Sequence, residues 1–468
     1  MRTRLRSLFF WERDFSGAFF HLAIPIAMQS LVMASLHVVD NVMVGQLGVV
    51  EMAAVTQANR FTFLFQLTMF GLSGGTAIFA AQYWGRRDVK QIQHVLGLGL
   101  ICAWVFVAFF GILAIGFPHL VIRILLKEEQ AIELGVRYLR IVGIGYFFQA
   151  MTQIYATILK STEQPRLPMV ASVTSIVTNT VLNYGLIFGR LGLPRLGVEG
   201  AAIATVIATV LEAGLIIGLG YGLRLATAAK PRDLIPQSRA FVARYLRITG
   251  TVVANESLWA LGILMYSVVY GRLGKDAVAS VSIYNTVEQV GFSFLRGVTG
   301  AAAVLVGKYI GRDENSEAYF TSKRMMAASV GISALAGLIL ALCSGPITGI
   351  YGGISTSVAA DAARIIRINA LFMPLNALNG LIIVGILRSG GDATVSLVLD
   401  TGTVWLIGVP LVACAGLLLH FDIVMVVVAQ MENLVKLALG MARFRSRRWM
   451  NNLTLAQGGE GVCNQGAD

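Results

Sequence analysis

The stretch "VGQLGVVEMAAVT" at 44–56 returns at 270–282 as "YGRLGKDAVASVS". The displacement is 226 residues, and it does not drift. Tyr83, Gly85 and Arg86 of "YWGRRD" fall on Tyr309, Gly311 and Arg312 of "KYIGRD", and Gly71 falls on Gly297. An ungapped register held over roughly forty residues marks an internal duplication. What has been doubled follows from composition.

Of 468 residues, 56% are apolar and only 13% are charged. A soluble domain carries about 25% charged residues, so this chain has too little polarity to cover a water-facing surface. Runs such as "HVLGLGLICAWVFVAFFGILAIGF" (94–117) exceed the roughly 20 residues that cross a bilayer as a helix. Backbone polar groups in lipid must be satisfied internally, so these runs are helices. No alternating ten-residue segments suggest a strand barrel. Twelve spans are expected, at about 17–42, 54–80, 94–117, 134–159, 167–189, 199–222, 240–269, 279–306, 322–345, 361–387, 392–417 and 420–441.

The formal charge of +12 does not point to nucleic acid, because the basic residues lie between apolar runs. Alternate loops are rich in them: Arg86, Arg87 and Lys90, then Lys160 and Arg166, then Arg224 to Arg244, then Lys308 to Arg324, then Arg443 to Arg448. That bias puts both chain ends in the cytoplasm. The amino end, "MRTRLRSLFFWERDF", reads as a retained cytoplasmic segment and not a signal peptide. Cys102, Cys343, Cys414 and Cys463 have neither disulfide nor metal spacing.

A 226-residue repeat holds six spans, an even number, so the second copy enters the membrane in the same direction as the first. The expected fold is therefore an all-α membrane protein of twelve transmembrane helices. They form two parallel six-helix lobes related by a pseudo-twofold axis along the membrane normal. The lobes are 1–221 and 240–445, with a linker at 222–239 and a polar cytoplasmic tail at 446–468. This is a recurrent transporter architecture, with a central cavity that opens to alternate sides.

A carboxylate at the bilayer centre costs about 2.5–3.5 kcal/mol on insertion scales, so an acid inside a span is a functional candidate. Asp40, Glu212, Glu256, Glu288, Asp400 and Glu432 qualify. Asn179 and Asn183 are four apart on one face of the fifth span, at a depth similar to Asp40. Together with Asp40 they could take a proton or, through oxygen ligands, a sodium ion. His37 is one turn from Asp40. Glu256 sits about 13 Å of helix beyond Arg247, near the midplane, with no basic residue within a turn. Trp259 and Tyr266 follow on its face, an arrangement that suits an organic cation. Glu288 either pairs with Arg296 or faces the cavity. Glu212 and Asp400 stand alone in their spans, and Glu432 is expected to pair with Lys436. Asn376 and Asn379 follow Pro374 in the tenth span. Pro25 is expected to kink the first. Gly71 and Gly75 form a close-packing pair answered by Gly297 and Ala301.

Three segments carry a family resemblance: "IPIAMQSLVMASLHVVDNVMVGQLG", "ANESLWALGILMYSVVYGRLGKDAVASVSI" and "ILRSGGDA". With them the chain resembles a bacterial multidrug and toxic compound extrusion (MATE) transporter over roughly 15–445. The resemblance implies a secondary antiporter, not an enzyme. It would export amphipathic, cationic compounds from the bacterial inner membrane in exchange for protons or sodium. No cofactor and no nucleic acid are implied, and the protein is expected to be a monomer. In the family an acid in the first helix matches Asp40 and one in the seventh matches Glu256. An asparagine in the fifth matches Asn179, but the aspartate four residues on is here Asn183. The rival expectation is a flippase of lipid-linked precursors, which would need a basic cavity, or an exporter of a dedicated endogenous metabolite. A membrane enzyme is disfavoured because the five histidines are scattered and no loop carries a catalytic grouping.

Overall fold

The computed structural model describes residues 13–455 except 127, 237, 352, 353 and 431. The amino end with Arg2, Arg4 and Arg6, together with Lys127 and the last part of the tail including Cys463, lies outside the described residues, as does the side chain of His37. Twelve helical units account for most of what remains. The first lobe contains α1 (Arg13–Gly45), α2 (Val49–Gly85), α3 (Val89–Gly111), α4 (Glu129–Ser161), α5 (Arg166–Phe188) and α6 (Gly197–Gly222). The second contains α7 (Arg239–Leu273), α8 (Lys275–Gly311), α9 (Asn315–Gly349), α10 (Thr356–Gly380), α11 (Ala393–Thr403) and α12 (Glu432–Arg445). Among the described residues, 11 helices are long and apolar enough to cross a membrane. The remaining unit, α4, is 33 residues long but carries Glu129, Glu133, Arg137 and Arg140 in its first half.

Local chemistry sets the helix ends. Asp88, Ser238 and Ser355 each accept a backbone N–H three residues on, satisfying donors that the first turn leaves open. The repeated "LG" of the opening motif is a turn: Gly48 (φ 149°) and Gly274 (φ 112°) precede α2 and α8, in a backbone region that only glycine enters freely.

Regularity fails in informative places. α3 continues through a π stretch at Ile112–Gly116, and α10 through one at Leu381–Leu387. α11 continues through Val404–Gly408, Val409–Ala413 and Cys414–Leu418, of which the first and last are π. The expected twelfth span runs over Ile423–Arg445 and is made of Ile423–Val428 followed by α12. α1 and α10 both run on as helix through Pro25 and Pro374.

The duplication appears directly at the lobe interface. A Cβ placed on Gly71 would stand 2.8 Å from Val253 Cα, and one on Gly75 2.6 Å from Thr249 Cα. In the other half, a Cβ on Gly297 would stand 2.7 Å from Ala27 Cβ and against the Ala23 carbonyl. Thr249 and Val253 are Ala23 and Ala27 displaced by 226. Thus α2 packs on α7 as α8 packs on α1, with small residues letting the backbones meet. At the face bearing the basic loops, α2 and α8 cross each other. Gly85 abuts the Lys308 carbonyl and Gly311 abuts that of Gln82. Arg86 Nε donates to Gly311 O (3.2 Å), and Arg312 Nε donates to Gly85 O (3.1 Å). This is the self-complementary contact of a twofold axis, made within one chain.

The start of the tail joins this closure. Trp449 is fully buried, donates to Phe444 O, and its ring stacks on that of Phe444. Gln82 donates to Asn451 O and accepts from Leu453 N (2.7 Å), while Arg86 and Arg244 donate to Thr454 O and Leu453 O.

Candidate cation-binding site

In the first lobe, α1, α5 and α6 bring Asp40, Asn183, Asn179 and Thr205 into one hydrogen-bonded row. Asn183 Nδ2 donates to Asp40 Oδ1 at 2.7 Å and to Asn179 Oδ1 at 3.0 Å. Asn179 Nδ2 donates to Thr205 Oγ1 at 3.4 Å. The i, i+4 spacing on α5 aligns the two amides, and both are buried. Asp40 is half-buried. Among the described residues no cation touches it. Asn183 Oδ1 is buried without a partner. Tyr138, whose hydroxyl donates to Asn59 Oδ1, lies within reach of the Asp40 charge.

A second polar group lies in the same lobe. Lys160 Nζ donates to Gln29 Oε1 (3.4 Å), Gln29 Nε2 to Ser172 Oγ (2.9 Å), and Ser172 Oγ to Glu212 Oε1 (2.6 Å). Glu212 is therefore not alone, as its own span suggested.

The second lobe is built differently. Glu256 has no cation nearby in sequence, yet Arg388 Nη1 meets its carboxylate at 2.6 Å. The other guanidinium nitrogen lies 3.6 Å from Asp400, which also takes Lys436 Nζ at 2.9 Å and Asn255 Nδ2 at 3.1 Å. Two acids and two cations so form one neutral, buried set. Arg388 reaches it because the π stretch of α10 ends one residue before it. Lys436 is taken by Asp400, so it forms no ion pair with Glu432; Glu432 instead accepts from Tyr266 (3.1 Å). Trp259 is exposed where Glu256 is buried.

Glu288 accepts from Tyr284 in place of Arg296, and Arg296 has no ion-pair partner among the described residues. Glu288, Tyr284, Asn369 and Asn376 line a pocket of about 20 Å³, room for one water. Asn376 Oδ1 there is buried and unpaired. Asn379 turns away and donates to Asn433 O (2.8 Å). Among the described residues no three His, Cys, Asp or Glu side chains converge as a metal site.

The family model for MatE matches residues 25–185 and 251–414, one block in each half. The chain belongs to the MatE family. It is a multi-pass membrane transporter of the multidrug and toxic compound extrusion group. It is 24% identical over 440 residues to an uncharacterized transporter, YisQ, of Bacillus subtilis, covering 93% of this chain and 96% of that protein. It is 26% identical over 413 residues to a probable multidrug resistance protein, NorM, of Rhizobium meliloti, covering 85% and 86%. Among solved structures, an outward-facing MATE transporter superimposes with a TM-score of 0.81 at 19% identity, over 92% of this chain and 96% of that one. A Pyrococcus furiosus transporter described by the reverse polarity of its binding pocket gives 0.80, also at 19% identity and with the same coverage.

For this MatE protein, sequence reading brought Asp40, Asn179 and Asn183 to one place. It missed Thr205, Tyr138 and Arg388, and it gave Lys436 to Glu432 where the structure gives it to Asp400. Only Arg388 left a signal, inside the "ILRSGGDA" segment that carried the resemblance.

Proposed function

We propose that the protein is a secondary multidrug exporter that exchanges amphipathic organic cations for a coupling cation held at Asp40, with the lobes rocking about the α2–α8 crossing. One observation carries the reading. Glu256 and Asp400 of the second lobe are compensated by Arg388 and Lys436, whereas among the described residues Asp40 is met only by a neutral amide. An acid without a fixed counter-charge is free to gain and lose a cation during a cycle. A donated amide N–H suits a carboxylate that alternates with its protonated form, so we assign the proton as coupling ion. Sodium is the second reading: it is favoured by the unpaired Asn183 Oδ1, which with Asp40 and Asn179 Oδ1 would offer oxygen ligands. The basic loops support a cytoplasmic location for both termini, and in that orientation the contact at Gly85 and Gly311 closes the cytoplasmic side of the cleft.

The test is ethidium efflux from proteoliposomes under separately imposed proton and sodium gradients. Efflux should follow the proton gradient and fall at least tenfold in Asp40→Asn. Unchanged proton-driven efflux in Asp40→Asn rejects the site, and efflux driven by sodium alone transfers the assignment to the second reading.

A further inference from the structure

We propose that Glu212 is a second proton-carrying carboxylate of the first lobe, held in readiness by Ser172, Gln29 and Lys160. The inference rests on the proton-coupled reading above. Glu256 is bonded directly by its cation, Arg388, and that pair is fixed. Lys160 does not touch Glu212. An amide and a hydroxyl stand between them, and the chain crosses four helices: α4, α1, α5 and α6. The hydroxyl matters because it both donates and accepts. With Glu212 ionised, Ser172 donates to it. With Glu212 protonated, the carboxyl can donate to Ser172, so the chain accepts either state without losing a bond. A guanidinium cannot do this, since it has donors only and stays charged.

Position supports the role. Ser172, Ser175, Asn179 and Asn183 are buried and share one face of α5. That face carries Glu212 near one end and Asp40 near the other, along about 16 Å of helix. Ser175 donates to the Ala208 carbonyl, and Asn179 to Thr205, so the row is polar along the α5–α6 seam. Among the described residues Lys160 is the one charged group whose field reaches Glu212. From α5 Glu212 faces the hydroxyls of Ser172 and Ser175. Through Ser172 it is linked to the Gln29 amide of α1. The step is a simple protonation: an O–H bond forms on a Glu212 carboxylate oxygen with a proton from water and later breaks to return it, while Lys160 stays an ammonium and no electrons are transferred.

The experiment measures protons moved per ethidium by the full chain in vesicles, from the ethidium gradient that just balances an imposed proton gradient with the membrane potential clamped at zero. The wild type is expected to move one proton more per ethidium than Glu212→Gln. Lys160→Met combined with Glu212→Gln should keep that deficit, because removing the cation restores charge balance but not a proton site. An unaltered ratio in Glu212→Gln, or a ratio restored in the double variant, overturns the proposal while leaving Asp40 in place. A wild type that shows no proton coupling overturns this inference and the proposed function together. Should Glu212→Gln fail to reach the membrane, Ser172→Ala decides: a shift of at least half a unit in the pH of half-maximal efflux supports the role, and an unmoved profile refutes it.

Discussion

Replacing Arg388 by methionine removes one cation from a set that balances two acids with two bases. Glu256 then has no counter-charge, and Asp400 keeps only Lys436. Arg388 is 4% exposed and Glu256 8%, so water cannot take over. Breaking a buried pair from one side costs about 3–5 kcal/mol. Unfolding entropy is about 2.1 cal/mol/K per residue. For 468 residues that is about 1 kcal/mol/K, so the melting temperature should drop by about 3–5 °C if the chain unfolds as one. If only the second lobe opens, half the residues are involved and the drop is about twice as large. The assay is thermal unfolding in detergent, followed by intrinsic fluorescence. Adding Glu256→Gln should recover at least half of the loss, because an acid and its cation leave together. A lone Arg388→Met variant that melts with the wild type would refute the charge accounting. So would a double variant that loses the sum of its parts.

Two further predictions concern the closed basic face. Burial alone would push the Glu163 carboxyl up, but the hydrogen bonds from Lys308 and Trp84 outweigh it and hold it below the usual carboxylate range. Its stabilising effect is therefore complete above the ordinary glutamate value and is lost as pH falls through the depressed one. Glu163→Gln should loosen this face by about 1 kcal/mol at neutral pH, read as longer spin-label distances between positions 87 and 313; unchanged distances would contradict it. Gly311→Leu forces a side chain onto the Gln82 carbonyl. It should bias the transporter toward an open basic face and slow ethidium efflux at least tenfold, and normal rates would show that the crossing tolerates bulk.

The duplicated frame and the Asp40 row were legible because both rest on local rules. A constant offset, a 1.5 Å rise and the four-residue face of a helix fix depth and neighbours before any packing is known. Glu256 could not be read the same way. Its partner is 132 residues away, and α10 passes through a π stretch just before presenting it, so a 3.6-residue face assignment fails there. Lys436 illustrates a different limit. A glutamate one turn away invites pairing in sequence, but Asp400 offers the closer carboxylate in space.

The irregular segment from Trp449 to Leu455 has a consequence for how the molecule is made. Gln82 is bonded to a residue 371 positions later, and Arg86 to one 368 later. During synthesis those two groups enter the membrane long before their partners leave the ribosome. The first lobe therefore waits with these two groups unpaired until the segment after α12 has been made, and that segment adds to the lobe contacts already formed at the α2–α8 crossing.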